Sequence, residues 1–157
     1  MMRDAVANDH RDLCVLAHEW DNDGEIKFVG TMFICAAENG NRELCILAKE
    51  WSGAADIYVN FETLLIIATR NGDRDLCLLA KEWLDDRDWD DNVFSEMLAV
   101  AARNGDRDLC ILAKEWIDVA GADTRFDEML AGAADCEDPV RGWELCQLAR
   151  KWMKEQI

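Results

Sequence analysis

R-D-L-C-I-L-A-K-E-W, residues 107–116, decides the fold, because it is one of five versions of a single ten-residue phrase. The others are R-D-L-C-V-L-A-H-E-W at 11–20, R-E-L-C-I-L-A-K-E-W at 42–51, R-D-L-C-L-L-A-K-E-W at 74–83 and W-E-L-C-Q-L-A-R-K-W at 143–152, so successive copies start 31, 32, 33 and 36 residues apart. A period in this range predicts stacked supersecondary units, each burying its apolar face against its neighbours. Within one copy, Leu76, Cys77, Leu79, Ala80 and Trp83 fall at i, i+1, i+3, i+4 and i+7, which is one stripe of an α-helix.

A second apolar pattern precedes the phrase. Phe61, Leu64, Leu65 and Ala68 stand at i, i+3, i+4 and i+7, and the spacing recurs at Phe94, Met97, Leu98, Ala101 and at Phe126, Met129, Leu130, Ala133. Between the two helices stand Asn39-Gly40-Asn41, Asn71-Gly72-Asp73 and Asn104-Gly105-Asp106. The Gly suits the left-handed closure of the first helix, and the following Asn or Asp suits the N-cap of the second. Asp12, Glu43, Asp75 and Asp108 then belong to the first turn of the second helix, with Lys49, Lys81 and Lys114 near its last turn, matching the macrodipole at both ends. The expected architecture is all-α: five helix-turn-helix repeats in one domain over 1–157, with repeats at about 1–24, 25–56, 57–89, 90–122 and 123–157.

The last copy departs from the others. Val15, Ile46, Leu78 and Ile111 give way to Gln147, which predicts that stacking stops there, with Gln147, Arg150, Lys151 and Lys154 as a C-terminal cap. The insertion from Asp135 to Gly142 carries the only proline, Pro139, and predicts that the repeat's first helix ends at that point.

Composition bounds the function. At 157 residues and 50% hydrophobic content the chain can bury roughly 70% of its unfolded surface. Seventeen Lys and Arg against 33 Asp and Glu give a net charge of −16, which repels phosphates and anionic lipid and favours partners with basic surfaces. Direct nucleic-acid and membrane binding are therefore not expected. Five of the seven cysteines, Cys14, Cys45, Cys77, Cys110 and Cys146, hold one position of the phrase without any C-x-x-C pair. They read as small buried apolar groups in a reducing compartment, neither metal ligands nor disulfides. With no signal core and no 18-residue apolar run, an intracellular location is expected, in the cytoplasm or nucleus.

The motifs resemble the ankyrin repeat. The family's A-A-x-x-G turn followed by an x-V-V-x-L-L-type helix is similar to Ala101-Ala102-Arg103-Asn104-Gly105 with Leu109-Cys110-Ile111-Leu112-Ala113, and to Ala36-Ala37-Glu38-Asn39-Gly40 with Leu44-Cys45-Ile46-Leu47-Ala48. The L-C-x-L-A-K-E-W variant resembles the divergent ankyrin-type repeats of giant DNA viruses of amoebae, which implies a viral protein targeting a host factor, located inside the host cell. Thr63-Leu64-Leu65-Ile66, Glu96-Met97-Leu98-Ala99 and Glu128-Met129-Leu130-Ala131 replace the family's Thr-Pro-Leu-His, so its histidine hydrogen-bond ladder is missing. Only Gly121-Ala122-Asp123 and a weaker Gly53-Ala54-Ala55-Asp56 echo the lead into its hairpin, and the β-hairpins are expected to be reduced or irregular.

Candidate site residues follow from these patterns. Trp20, Trp51, Trp83, Trp116 and Trp152 lie on the apolar stripe and are assigned to packing. Arg42, Arg74 and Arg107 are each flanked by acids, which predicts surface pairing along the stack. Trp89 lies outside the periodic core among Asp86, Asp88 and Asp90, where an aromatic anchor ringed by carboxylates suits a basic partner. That segment fails as a calcium loop, with Asp91 for the turn glycine and Met97 for the bidentate Glu. The resemblance also nominates the residue after the Ala-Ala pair of the turn, Glu38, Arg70 (where the pair is Ala68-Thr69), Arg103 and Asp135, with Glu62, Glu96, Asp127 and Glu128 extending that inner surface. His10 and His18 are the only histidines, and no phosphate loop, nucleophile elbow or metal cluster is present, so neither an enzyme nor a cofactor is expected. The reading is a noncatalytic protein–protein interaction scaffold for a protein with a basic surface. Two alternatives compete with it: self-association as a homodimer through the N-terminal repeat around Met1, Met2 and Val6, and an acidic decoy for histones or other nucleic-acid-binding proteins.

Overall fold

The computed structural model describes residues 14–15, 25–54, 59–85 and 92–156. Within them the chain is helical, with eight long helices and no strand: α1 (Glu25–Glu38), α2 (Arg42–Ala54), α3 (Phe61–Arg70), α4 (Arg74–Asp85), α5 (Val93–Arg103), α6 (Arg107–Ala120), α7 (Phe126–Ala134) and α8 (Pro139–Glu155). No helix among the described residues is long and apolar enough to cross a membrane. Odd-numbered helices are the first helices of each pair and even-numbered ones carry the phrase. Each first helix packs on its own second helix, and α1, α3, α5 and α7 pack on one another in chain order. The core therefore runs continuously through the pairs, as the two apolar patterns require.

The turns show how a few residues encode this. In all three Asn-Gly turns the Gly has φ near +66 to +70, a conformation a Cβ would strain. The residue after it closes one helix and opens the next. Its backbone N–H donates back to Ala36, Ala68 or Ala101 at 2.8, 2.9 and 2.9 Å, while the Gly N–H donates to Ala37, Thr69 or Ala102. The side chain of the same residue then accepts the N–H of Leu44, Leu76 or Leu109 at 3.0–3.1 Å as the N-cap of the second helix.

The first-helix residues Leu64, Leu65, Ala68, Phe94, Met97, Leu98 and Ala101 are fully buried, as are Leu76, Cys77 and Ala80 of the phrase. Trp83 is buried and the rings of Phe33, Phe61 and Trp83 lie within 5.5–6.4 Å of one another, while Phe94 and Trp116 stand 5.6 Å apart. Trp51, Trp116 and Trp152 pack half-buried against the same core. Trp20 lies outside the described residues.

Two expectations are corrected. The second helices run on to Ala54, Asp85 and Ala120, so Lys49, Lys81 and Lys114 sit mid-helix and do not complement the C-terminal dipole. Lys49 Nζ instead lies 4.9 Å from the Trp83 ring of the next pair, and Lys81 Nζ lies 5.5 and 5.9 Å from Phe94 and Trp116, which are cation–π distances; Lys114 pairs with Asp118. In the last pair the first helix ends at Ala134, immediately before the insertion, as expected, and Pro139 opens α8 behind its N-cap Asp138, so the inserted residues also lengthen the second helix by a turn. Gln147 does not mark the end of stacking, because the equivalent Leu78 is already 43% exposed in an interior pair. The end is marked elsewhere: positions buried as Leu98, Ala102, Cys110 and Ile117 become half-buried Leu130, exposed Ala134, half-buried Cys146 and Met153 at 43%.

Candidate functional site

The turns of the last three pairs form the walls of a groove of about 960 Å³. Arg70 ends α3, Arg103 ends α5, Arg107 opens α6 and Arg141 lies in the added turn of α8. Asp106, Asp108, Asp135, Glu137, Asp138 and Glu144 alternate with them along the lining. Asn71, Gly72, Asn104, Gly105 and Cys136 complete it.

The floor is held by an asparagine ladder that the sequence reading missed. Asn71 Nδ2 donates to the Ala37 and Glu38 carbonyls of the preceding pair at 3.1 and 3.2 Å, and Asn104 Nδ2 donates to those of Thr69 and Arg70 at 3.1 and 2.9 Å. These carbonyls belong to helix ends, where the i+4 donor is absent: Ala37 and Thr69 already accept from the Gly of their own turn, and the asparagine of the next pair adds a second bond there and reaches Glu38 and Arg70. Links between pairs that the resemblance assigns to histidine are thus made by asparagine. In the last pair Cys136 takes the asparagine position and packs over Gly105, where an added Cβ would meet its Sγ at 3.0 Å.

On this fixed floor the charges other than the capping Asp106 and Asp138 are exposed and little engaged. Among the described residues Arg141 approaches Asp138 at 3.6 Å, whereas Arg70, Arg103, Arg107 and Asp135 make no ion pair or side-chain hydrogen bond with any other. The pairing along the stack expected for Arg42, Arg74 and Arg107 is not formed within those residues. Four guanidinium groups among six carboxylates do not suit a polyanion such as a nucleic acid. Mixed charge at alternating positions suits a polypeptide that carries both signs.

Arg70 and Arg103 are the nominated residues that line the groove, with Asp135 beside them. Glu38 is exposed one pair away, outside the lining. Glu62, Glu96, Asp127 and Glu128 do not extend the same surface: they occupy the first turns of α3, α5 and α7, about 10–12 Å along the helices from the groove. There they complement the helix N-termini, and Glu128 pairs with Arg125 at 2.9 Å. Trp89, Asp86, Asp88 and Asp90 lie outside the described residues, as do Met1, Met2 and Val6. Arg107, Asp108 and Arg141 were missed as site residues; the first two are in the phrase, whose repetition reads as scaffold.

The buried phrase cysteines Cys45, Cys77 and Cys110 are not reactive centres. Burial pushes the thiols of Cys45 and Cys110 from 9.0 up to about 12, with the Asp73 and Asp106 carboxylates adding in the same direction, and burial pushes Cys77 to about 11. The folded state holds these thiols protonated, so their contribution is complete below pH 9 and is lost as pH climbs toward 11–12, where unfolded thiols ionise first. The melting temperature is expected to fall above pH 9, and less steeply in a Cys45→Ala/Cys77→Ala/Cys110→Ala chain; equal slopes would exclude the thiols as the cause. A thiol reagent at pH 8 is expected to label half-buried Cys136 and Cys146 ahead of the buried five.

The described residues thus define an all-helical protein of packed helix pairs with a mixed-charge groove across its turns. No protein-family model, curated protein or solved structure matches the chain significantly.

Proposed function

We propose that the chain is a noncatalytic, ankyrin-like repeat solenoid that captures a protein partner with a basic surface. The observation that carries this reading is the groove: Arg70, Arg103, Arg107 and Asp135 stand without ionic partners among the described residues, on turns fixed by caps and the asparagine ladder. Such a surface loses little side-chain hydrogen bonding when a polypeptide is laid on it, and its backbone is already ordered. The net charge of −16 steers basic partners toward it. The likeness of the L-C-x-L-A-K-E-W phrase to repeats of giant viruses of amoebae supports a viral protein acting on a host factor inside the host cell.

Affinity capture from an amoebal host extract, with mass spectrometry and then purified partners, tests the assignment. An Asp108→Lys/Asp135→Lys/Glu144→Lys chain is expected to bind the partner at least about tenfold more weakly, since three groove carboxylates that face its basic groups are reversed at once. An unchanged partner set with unchanged affinity would remove the groove from consideration. The acidic-decoy reading is favoured by the net charge alone. It requires that capture depend on total charge and collapse in high salt, with no sensitivity to which carboxylate is altered.

A further inference from the structure

The last helix carries a surface unlike that of the other phrase helices. On α8, Val140, Trp143, Gln147, Arg150, Lys151 and Lys154 share the face opposite buried Gly142, Leu145 and Ala149. Val140 and Trp143 are 67% and 64% exposed, large values for apolar side chains. Lys151 stands at the phrase position of Glu50, Glu82 and Glu115, all exposed, so the sign of that position is reversed only here. Lys151 lies 3.8 Å from Glu155, and Arg150 and Lys154 have no acidic partner among the described residues.

The complement of this face is on the same chain. On α4, Asp75, Leu78 and Glu82 fall at i, i+3 and i+7 and are all exposed, which sets one apolar residue between two acids on a single stripe. Leu78 has the greatest exposure among the apolar residues at its phrase position; Ile46 and Ile111 are half-buried. We infer that the outer face of α8 docks on the outer face of α4 in a second copy of the chain. Trp143 covers Leu78 with the two helices running parallel, and Lys151, two turns past Trp143, reaches Glu82, one turn past Leu78. The two faces lie on different helices, so the contact is heterologous unless two copies exchange it reciprocally about a two-fold axis. Net repulsion between copies of charge −16 opposes the encounter, but it is screened over about 8 Å at physiological ionic strength, whereas pairs in contact are screened far less.

Sedimentation velocity over a concentration series tests this directly. The parent chain is expected to associate reversibly, and Trp143→Ser/Lys151→Glu is expected to raise the dissociation constant at least about tenfold, the loss of an aromatic anchor and a charge pair. Leu78→Ser is expected to weaken association similarly. All three positions are exposed, and unchanged circular dichroism will show that folding is intact. A Lys151→Glu/Lys154→Glu chain and an Asp75→Lys/Glu82→Lys chain are expected to be monomeric alone and to associate when mixed. A parent chain that stays monomeric at its highest soluble concentration overturns the proposal. So does association that persists in either single-face variant, which would place the contact elsewhere.

Discussion

Phe94→Ala is expected to lower the free energy of unfolding by about 3–5 kcal/mol, the usual cost of deleting a buried aromatic ring. Phe94 is fully buried at the start of α5, 5.6 Å from Trp116, with Lys81 Nζ 5.5 Å from its ring. Truncation removes the ring's own burial, the aromatic pair and one seat of a cation–π contact, and it opens a cavity between two helix pairs. A domain of this size holds only about 5–15 kcal/mol in total. Because α5 packs on α3 before it and α7 after it, damage there also weakens coupling along the stack. Urea unfolding followed by circular dichroism should show a lower midpoint and a broadened or divided transition. Phe94→Leu, which keeps most of the volume, should recover the greater part of the loss. A Phe94→Ala cost below about 1 kcal/mol, no more than an average surface change, would mean that the two apolar patterns do not share one core.

Gly132→Ala is expected to destabilise by about 1–3 kcal/mol, the range for overpacking a tight interior, although the same change at an open helical site gains up to about 1 kcal/mol. An added Cβ at Gly132 would stand 2.4 Å from the Ala99 carbonyl oxygen and 3.3 Å from the Arg103 nitrogen, both backbone atoms of α5. Backbone cannot swing aside as a side chain can, so α7 must lift from α5. That shift would move the Asp135–Asp138 wall of the groove relative to Arg103, tying a stability defect to a binding defect. Gly142→Ala is expected to behave alike, since its Cβ would stand 2.4 Å from the Ala133 carbonyl oxygen and push α8 from α7. Gly30 in α1 is the control, with nothing within 4 Å of an added Cβ, and Gly30→Ala should raise the melting temperature. Thermal unfolding of the three variants gives the signs; a stabilised Gly132→Ala chain would contradict the close approach of α7 and α5.

The helix pairs were legible because periodicity and turn chemistry are local. Leu76, Cys77, Ala80 and Trp83 announce a buried stripe through their spacing, and Asn71-Gly72-Asp73 announces a helix closure and an N-cap through residue type. The lysines misled for an equally definite reason. Lys49 and Lys81 stand where a helix end was expected, but their partners are Trp83 and Trp116 on the following phrase, more than thirty residues on. The same holds for Gly132 and Gly142, which look like weak points in helices until the neighbouring backbone is placed.

For the site, the sequence supplied Arg70 and Arg103 as positions in a repeated turn, and it withheld Arg107 and Arg141. Arg107 was hidden in the phrase, and the place of Arg141 depends on the insertion extending α8 by one turn, which residue types alone do not specify. Apolar spacing and capping residues settle which segments are helices, where they turn and which stripe is buried, because those preferences act within one or two turns of chain. Which charges share a groove, which glycines admit a neighbouring backbone and which face of α8 is left uncovered depend on how separate helices lie against one another. Those distances are fixed by packing between residues far apart in sequence, so they exist only in the folded stack.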